Sequence, residues 1–126
     1  MLVRGIRGAT TVSQNTKTDI VKETSTLLSE MISANEINTE DIASIIFTTT
    51  FDVTLEFPAV AAREILSLNT VPLLNMHEIN NPDGITHLVT VYNQDWLLKE
   101  LNSIGIETNI KYPKQGHIQK TLTFNA

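Results

Sequence analysis

The spacing of apolar positions changes several times along this chain, and each change marks an element. Val3, Ile6 and Val12, with small residues between them, read as a first strand over residues 2–12. From Thr16 the period lengthens. Ile20, Leu27, Leu28, Met31 and Ile32 share one helical face over 17–34, while Lys17, Lys22, Glu23 and Glu30 fall on the solvated side. Thr16 with Asp19 three residues on is a capping signal, and Asn35 is the stop. After a turn at Thr39–Asp41, the run Ile42–Thr50 is continuously apolar around Ile45, Ile46 and Phe47, which predicts a strand buried on both faces.

Residues 51–57 read as a loop. Pro58 suits the first turn of a helix carried on by Ala59, Ala61, Ala62, Ile65 and Leu66. Val71–Met76 is the third strand, Asn80-Asn81-Pro82-Asp83-Gly84 a turn, and Ile85–Tyr92 the fourth strand. Good helix formers over Asp95–Leu101, with Gly105 beyond them, predict a third helix. Ile106–Tyr112 and Ile118–Phe124 follow as strands, with a turn at 113–116. The order β-α-β-α-β-β-α-β-β predicts one α+β domain over residues 1–126, a mixed β-sheet packed with helices.

Composition narrows the function. A net charge of −5 argues against nucleic acid or an anionic membrane as partner, yet leaves room for a local basic site that binds a small anion. The absence of cysteine excludes disulfides, thiolate nucleophiles and cysteine-ligated zinc. No apolar run reaches the roughly 18 residues of a membrane span. Arg4 and Arg7 interrupt any signal-peptide core, so a cytoplasmic protein is expected. His77, His87 and His117 have no metal-ligand spacing, and no glycine-rich phosphate loop precedes a helix, so neither metal nor cofactor is expected.

The first strand, VRGIRGATTV, carries two arginines among apolar and small residues. A guanidinium there is costly unless it meets an anion, which suggests a carboxylate or phosphate ligand; ordinary ion pairs on a solvated face are the alternative. Together with IIFTTTFD, EFPAVAAREIL and VPLLNMHEI, in order and at near-constant spacing over residues 1–84, this string resembles the trimeric α/β class of chorismate mutases. The resemblance implies a ferredoxin-like homotrimer with a site at each subunit interface. It also implies a cofactor-free Claisen rearrangement of chorismate to prephenate. Such a site holds a flexible dicarboxylate in its reactive conformer and stabilises charge developing on the breaking ether oxygen.

By the same resemblance, Arg7 binds a substrate carboxylate and Glu78 accepts from the ring hydroxyl. Phe57 lines the pocket mouth from the neighbouring subunit, with Arg63 near it and Asn75 at the small polar position before the glutamate. Three departures stand out. Thr90 occupies the place of a second arginine that faces the ether oxygen, and no arginine follows Arg63. Val60 replaces a lysine after Phe-Pro-Ala. Near the C-terminus, His117 falls near a carboxylate-binding tyrosine and Asn125 near an arginine. Either Lys111, Lys114, His117 or Lys120 supplies the missing cation and mutase activity is kept, or the chain binds or differently transforms a chorismate-like cyclic dicarboxylate.

Overall fold

The computed structural model describes residues 2–97 and 116–125. Its elements in chain order are β1 (Leu2–Thr11), α1 (Lys17–Ala34), β2 (Ile42–Thr49), β3 (Leu73–His77), β4 (Leu88–Leu97) and β5 (Gly116–Asn125). The sheet order is β3-β2-β4-β1-β5, with β2 and β3 parallel and every other pair antiparallel. This is the mixed sheet with packed helices that the sequence predicts.

Helix α1 starts where the sequence places it. The Thr16 hydroxyl accepts from the Asp19 amide at 3.1 Å, satisfying a donor that the first turn leaves without a helical partner. At the other end the Asn35 side-chain amide donates to the Met31 carbonyl at 2.8 Å, and Arg4 of β1 donates to the Asn35 carbonyl at 2.9 Å. Arg4 thus ties the helix C-terminus to the sheet, a structural use of one of the two first-strand arginines.

The core lies between α1 and one face of the sheet. Ile6, Leu27, Leu28, Met31, Ile45, Phe47 and Val91 are buried together there. Gly8 lets the helix approach closely, since a Cβ built on it would lie 2.7 Å from the Met31 sulfur. The opposite face carries Gly5, Arg7 and Ala9 of β1, Thr48 of β2 and Thr90 and Tyr92 of β4, a consequence of strand alternation and register. Leu74, Met76 and Tyr92 are exposed on it.

Strand β2 was expected to be buried on both faces. Instead burial alternates, with Ile45, Phe47 and Thr49 buried and Ile46 and Thr48 half-buried, because within one chain α1 covers a single face. The helix expected after Pro58 forms as a short, wide π-type turn over Ala61–Ile65, where the Leu66 amide reaches the Ala61 carbonyl five residues back at 3.2 Å.

The fourth strand begins at Leu88 rather than Ile85. His87 just before it has φ +50°, a left-handed conformation that breaks the extended run. The expected helix over Asp95–Leu101 is contradicted at Asp95–Leu97, which continue β4. Leu97 pairs with Leu2, Trp96 with Val3, and Asp95 with both Arg4 and Ile42, so ladder bonds on two sides override local helix propensity. The rest of that segment, the Gly105 stop and the strand at Ile106–Tyr112 lie outside the described residues. So do Pro113–Gln115 of the expected turn, whose Gly116 already belongs to β5. The last strand forms as β5, slightly longer than expected at both ends.

Candidate active site on two faces of the sheet

Two cavities open near the C-terminal ends of β2 and β3. The first, of about 370 Å³, is lined by Arg7, Thr50, Phe51, Asp52, Glu78 and most of residues 79–88. Glu78 follows β3 directly, and its amide donates to the Thr49 carbonyl at 2.8 Å, extending the β2–β3 ladder by one bond. The Thr48 hydroxyl donates to a Glu78 carboxylate oxygen, which fixes that carboxylate on the face of the sheet away from α1. Arg7 lies on the same face, because its neighbours Ile6 and Gly8 face the helix. A cation and a hydrogen-bonded carboxylate on the walls of one cavity can grip a small molecule that has both an anionic group and a hydroxyl.

A cluster at its rim holds this cavity in shape. The Asp52 carboxylate accepts from the Thr50 hydroxyl at 2.5 Å and from the His87 amide at 2.9 Å, with the His87 ring nitrogen 3.7 Å away. The Thr50 hydroxyl in turn accepts from the Leu88 amide at 2.9 Å, and the His87 carbonyl accepts from the Val12 amide at 2.9 Å. Burial alone would raise the Asp52 pKa. The hydrogen bonds from Thr50 and His87, with the nearby imidazole, outweigh it and leave the group below the ordinary aspartate value. The cluster joins the ends of β1 and β2 to the start of β4, and it accounts for a residue other than glycine at positive φ.

The second cavity, of about 470 Å³, is lined by Lys17, Thr49, Val53, Phe57, Pro58, Asn75 and His77, among others. Asn75 faces the helix side, where its side-chain oxygen accepts from the Ala59 amide at 3.1 Å. That bond docks the Phe-Pro-Ala segment against β3. Asn15 fastens the preceding loop: its side-chain oxygen accepts from the Thr54 amide at 3.0 Å and the Leu55 amide at 3.3 Å. Phe57 is 65% exposed, so its ring is presented outward rather than packed in the core.

Of the residues singled out from the sequence, the structure therefore brings Arg7 and Glu78 together and places Phe57 and Asn75 together elsewhere. Arg63 sits exposed on the π-type turn and lines neither cavity. Thr90 is 4% exposed in β4, opposite Ala9 and Thr48, and among the described residues its hydroxyl has no hydrogen-bond partner. His117 pairs with Ala9 through the β5 backbone, and Lys120 and Asn125 also lie on β5; Lys111 and Lys114 are outside the described residues. Sequence reasoning missed Thr48, the partner of Glu78, and the Thr50–Asp52–His87 cluster. Their signal was the threonine run ending β2, read only as strand propensity.

A mixed sheet with one helix-covered face, and a cation and a carboxylate on the walls of one cavity at the strand ends, defines a small α+β protein whose cavity can hold a compact anion. Comparison with known proteins narrows this. The family model described as chorismate mutase type I matches residues 3–102. The chain is 44% identical over 91 residues to the chorismate mutase AroH of Thermus thermophilus, covering 71% of this chain and 74% of that protein. It is 36% identical over 91 residues to AroH of Bacillus subtilis, covering 72% of each. A solved chorismate mutase from Clostridium thermocellum superposes with a TM-score of 0.72 at 43% identity, over 76% of this chain and 85% of that one. The chain belongs to the chorismate mutase type I family.

Proposed function

We propose that this protein is a chorismate mutase, an isomerase of aromatic amino-acid biosynthesis, which works in the cytoplasm as a homotrimer on a chorismate-like dicarboxylate. The observation that carries this reading is that Arg7 and Glu78 line one cavity, within the stretch of chain that matches the family. Arg7 anchors a substrate carboxylate. Glu78, held by Thr48, accepts from the ring hydroxyl. Together they bias a flexible substrate toward the compact conformer in which the new carbon–carbon bond forms as the ether bond breaks. No covalent intermediate is required, which suits a chain without cysteine.

The division of site residues between two cavities supports an interface site. Phe57 and Asn75 serve a cavity on the helix side, while Arg7 and Glu78 serve one on the opposite face. The two linings meet only at the strand ends, Thr49 and His77 on one and Thr50 and Glu78 on the other. The first cavity of one copy against the second cavity of its neighbour brings Arg7 and Glu78 together with Phe57 and Asn75. The exposed Leu74, Met76 and Tyr92 offer apolar surface for that assembly.

The direct test is chorismate consumption by the purified chain. Activity above buffer is expected, with kcat/KM of Arg7→Ala lowered by about 10² or more. Wild-type protein that consumes no chorismate overturns the mutase reading. Thr90 favours one rival, since an uncharged, buried hydroxyl stands where the family resemblance expects a cation. Under that rival the protein binds the dicarboxylate without rearranging it, and a ligand-induced rise in Tm without turnover identifies it.

A further inference from the structure

A dicarboxylate held between two half-sites calls for a cation on each. Five cationic side chains are described in the structure: Arg4, Arg7, Lys17, Lys22 and Arg63. Arg7 serves the first cavity. Arg4 donates to the Asn35 carbonyl at 2.9 Å, at the far end of α1. Lys22 is 71% exposed and lies 3.7 Å from Glu23. Arg63 lines neither cavity, and Val60 brings no charge to the Phe-Pro-Ala segment.

Lys17 is different. It lines the second cavity beside Phe57, Pro58 and Asn75. Among the described residues no carboxylate neutralises it. Glu56, on the same wall, accepts from the Phe57 amide at 2.9 Å instead. The wall is also held in place: Asn15, two residues before Lys17, binds both Thr54 and Leu55 of the loop opposite. A lysine stem is flexible enough to bring a compact charge to a carboxylate without the fixed geometry a guanidinium needs. An unneutralised ammonium on the wall of a pocket that also has an aromatic ring and an amide can hold a carboxylate.

We propose that Lys17 is the second carboxylate anchor of the site, supplied by the copy that contributes Phe57 and Asn75. This rests on the mutase reading above and adds to it a residue at the start of α1. In that role Lys17 holds ground state and transition state alike, so its loss is felt in binding rather than in the chemical step.

The experiment is steady-state kinetics on the assembled wild-type protein and on Lys17→Met, Lys17→Arg and Lys22→Met. Lys17→Met is expected to raise the KM for chorismate by about tenfold or more with kcat within about threefold, and Lys17→Arg to return KM to within about threefold of wild type. Lys22→Met, on the solvated face, leaves both unchanged. The fall of kcat/KM with added salt is shallower in Lys17→Met, because one screened attraction is gone. An active wild type whose Lys17→Met variant keeps KM within about twofold overturns this proposal alone. Where wild type binds chorismate without turnover, the mutase reading falls and the same tenfold criterion applies to Kd by calorimetry. Wild type that neither binds nor turns over chorismate overturns both.

Discussion

Gly8 sits where the sheet and α1 approach most closely, and adding atoms there tests the account of the core. A Cβ at this position would lie 2.7 Å from the Met31 sulfur, 3.0 Å from a Leu27 methyl and 3.1 Å from Met31 Cγ. Ordinary contact begins near 3.4 Å, so the sulfur must retreat by about 0.7 Å. The backbone cannot retreat instead, because Gly8 pairs with Val91 on one side and Ile118 on the other. Neither can the helix side chains leave, since Met31 is 0% and Leu27 2% exposed. Met31 is flexible and absorbs part of the strain.

For Gly8→Ala the overpacking cost of about 1–2 kcal/mol is offset by about 0.5–1 kcal/mol from replacing a strand glycine, leaving about 1 kcal/mol of destabilisation. Gly8→Val costs about 3 kcal/mol. Met31→Ala alone costs about 2–5 kcal/mol as a cavity, but in the double variant the new methyls enter that cavity. The loss in the double variant therefore falls short of the sum of the two single losses by at least about 1 kcal/mol. Urea unfolding at fixed protein concentration reads these differences as shifts of the midpoint at constant m. Additive losses in the double variant, or a Gly8→Val as stable as wild type, would refute the packing argument. Because Arg7 adjoins Gly8, Gly8→Val should also lose more activity than its unfolded fraction explains.

Two further outcomes follow from the site. The Asp52 pKa is depressed on folding, so its stabilising contribution is present above the ordinary aspartate range and is lost as pH falls through the folded-state value. The stability gap between wild type and Asp52→Asn should hold from neutrality to about pH 5 and shrink below about pH 4, read from Tm against pH; a gap independent of pH contradicts the assignment. Thr90 lies between Ala9 and Thr48 in register, on the Arg7 face. Thr90→Arg should raise kcat by about tenfold or more through a charge-assisted donor at the ether oxygen, and an unchanged kcat in folded protein removes Thr90 from the reacting centre.

The first half of the fold was legible because its signals are local. The Thr16 cap, the helical stripe from Ile20 to Met31 and the β-branched run into Thr49 each act within a few residues. Asp95–Leu97 were misread because their strand state depends on partners about ninety and fifty residues away in β1 and β2. The site follows the same division. Arg7 and Glu78 stood out through the motifs around them. Lys17 looked like one more solvated helix charge, since its cavity exists only when Asn15 captures a loop 39 residues further along. Thr48 was equally invisible as the partner of Glu78, because the contact spans 30 residues and arises from parallel pairing of β2 and β3.

An interface site has a consequence that a site within one chain cannot produce. Arg7→Ala chains keep Lys17, Phe57 and Asn75 intact, and Lys17→Met chains keep Arg7 and Glu78. Each variant alone has one damaged half at every interface. Unfolded together in equal amounts and refolded into the proposed trimer, the two chains meet at random. At about a quarter of the interfaces an Arg7 from one chain then faces a Lys17 from the other, and that site is wild type. Activity at chorismate well below KM should therefore recover to about a quarter of wild type, above the average of the separately refolded variants. Mass spectrometry of the mixture confirms that hybrid trimers formed. Hybrid trimers with no recovery would mean that Arg7 and Lys17 do not meet across an interface, because two residues of one chain's own site cannot be restored by a neighbour that lacks either.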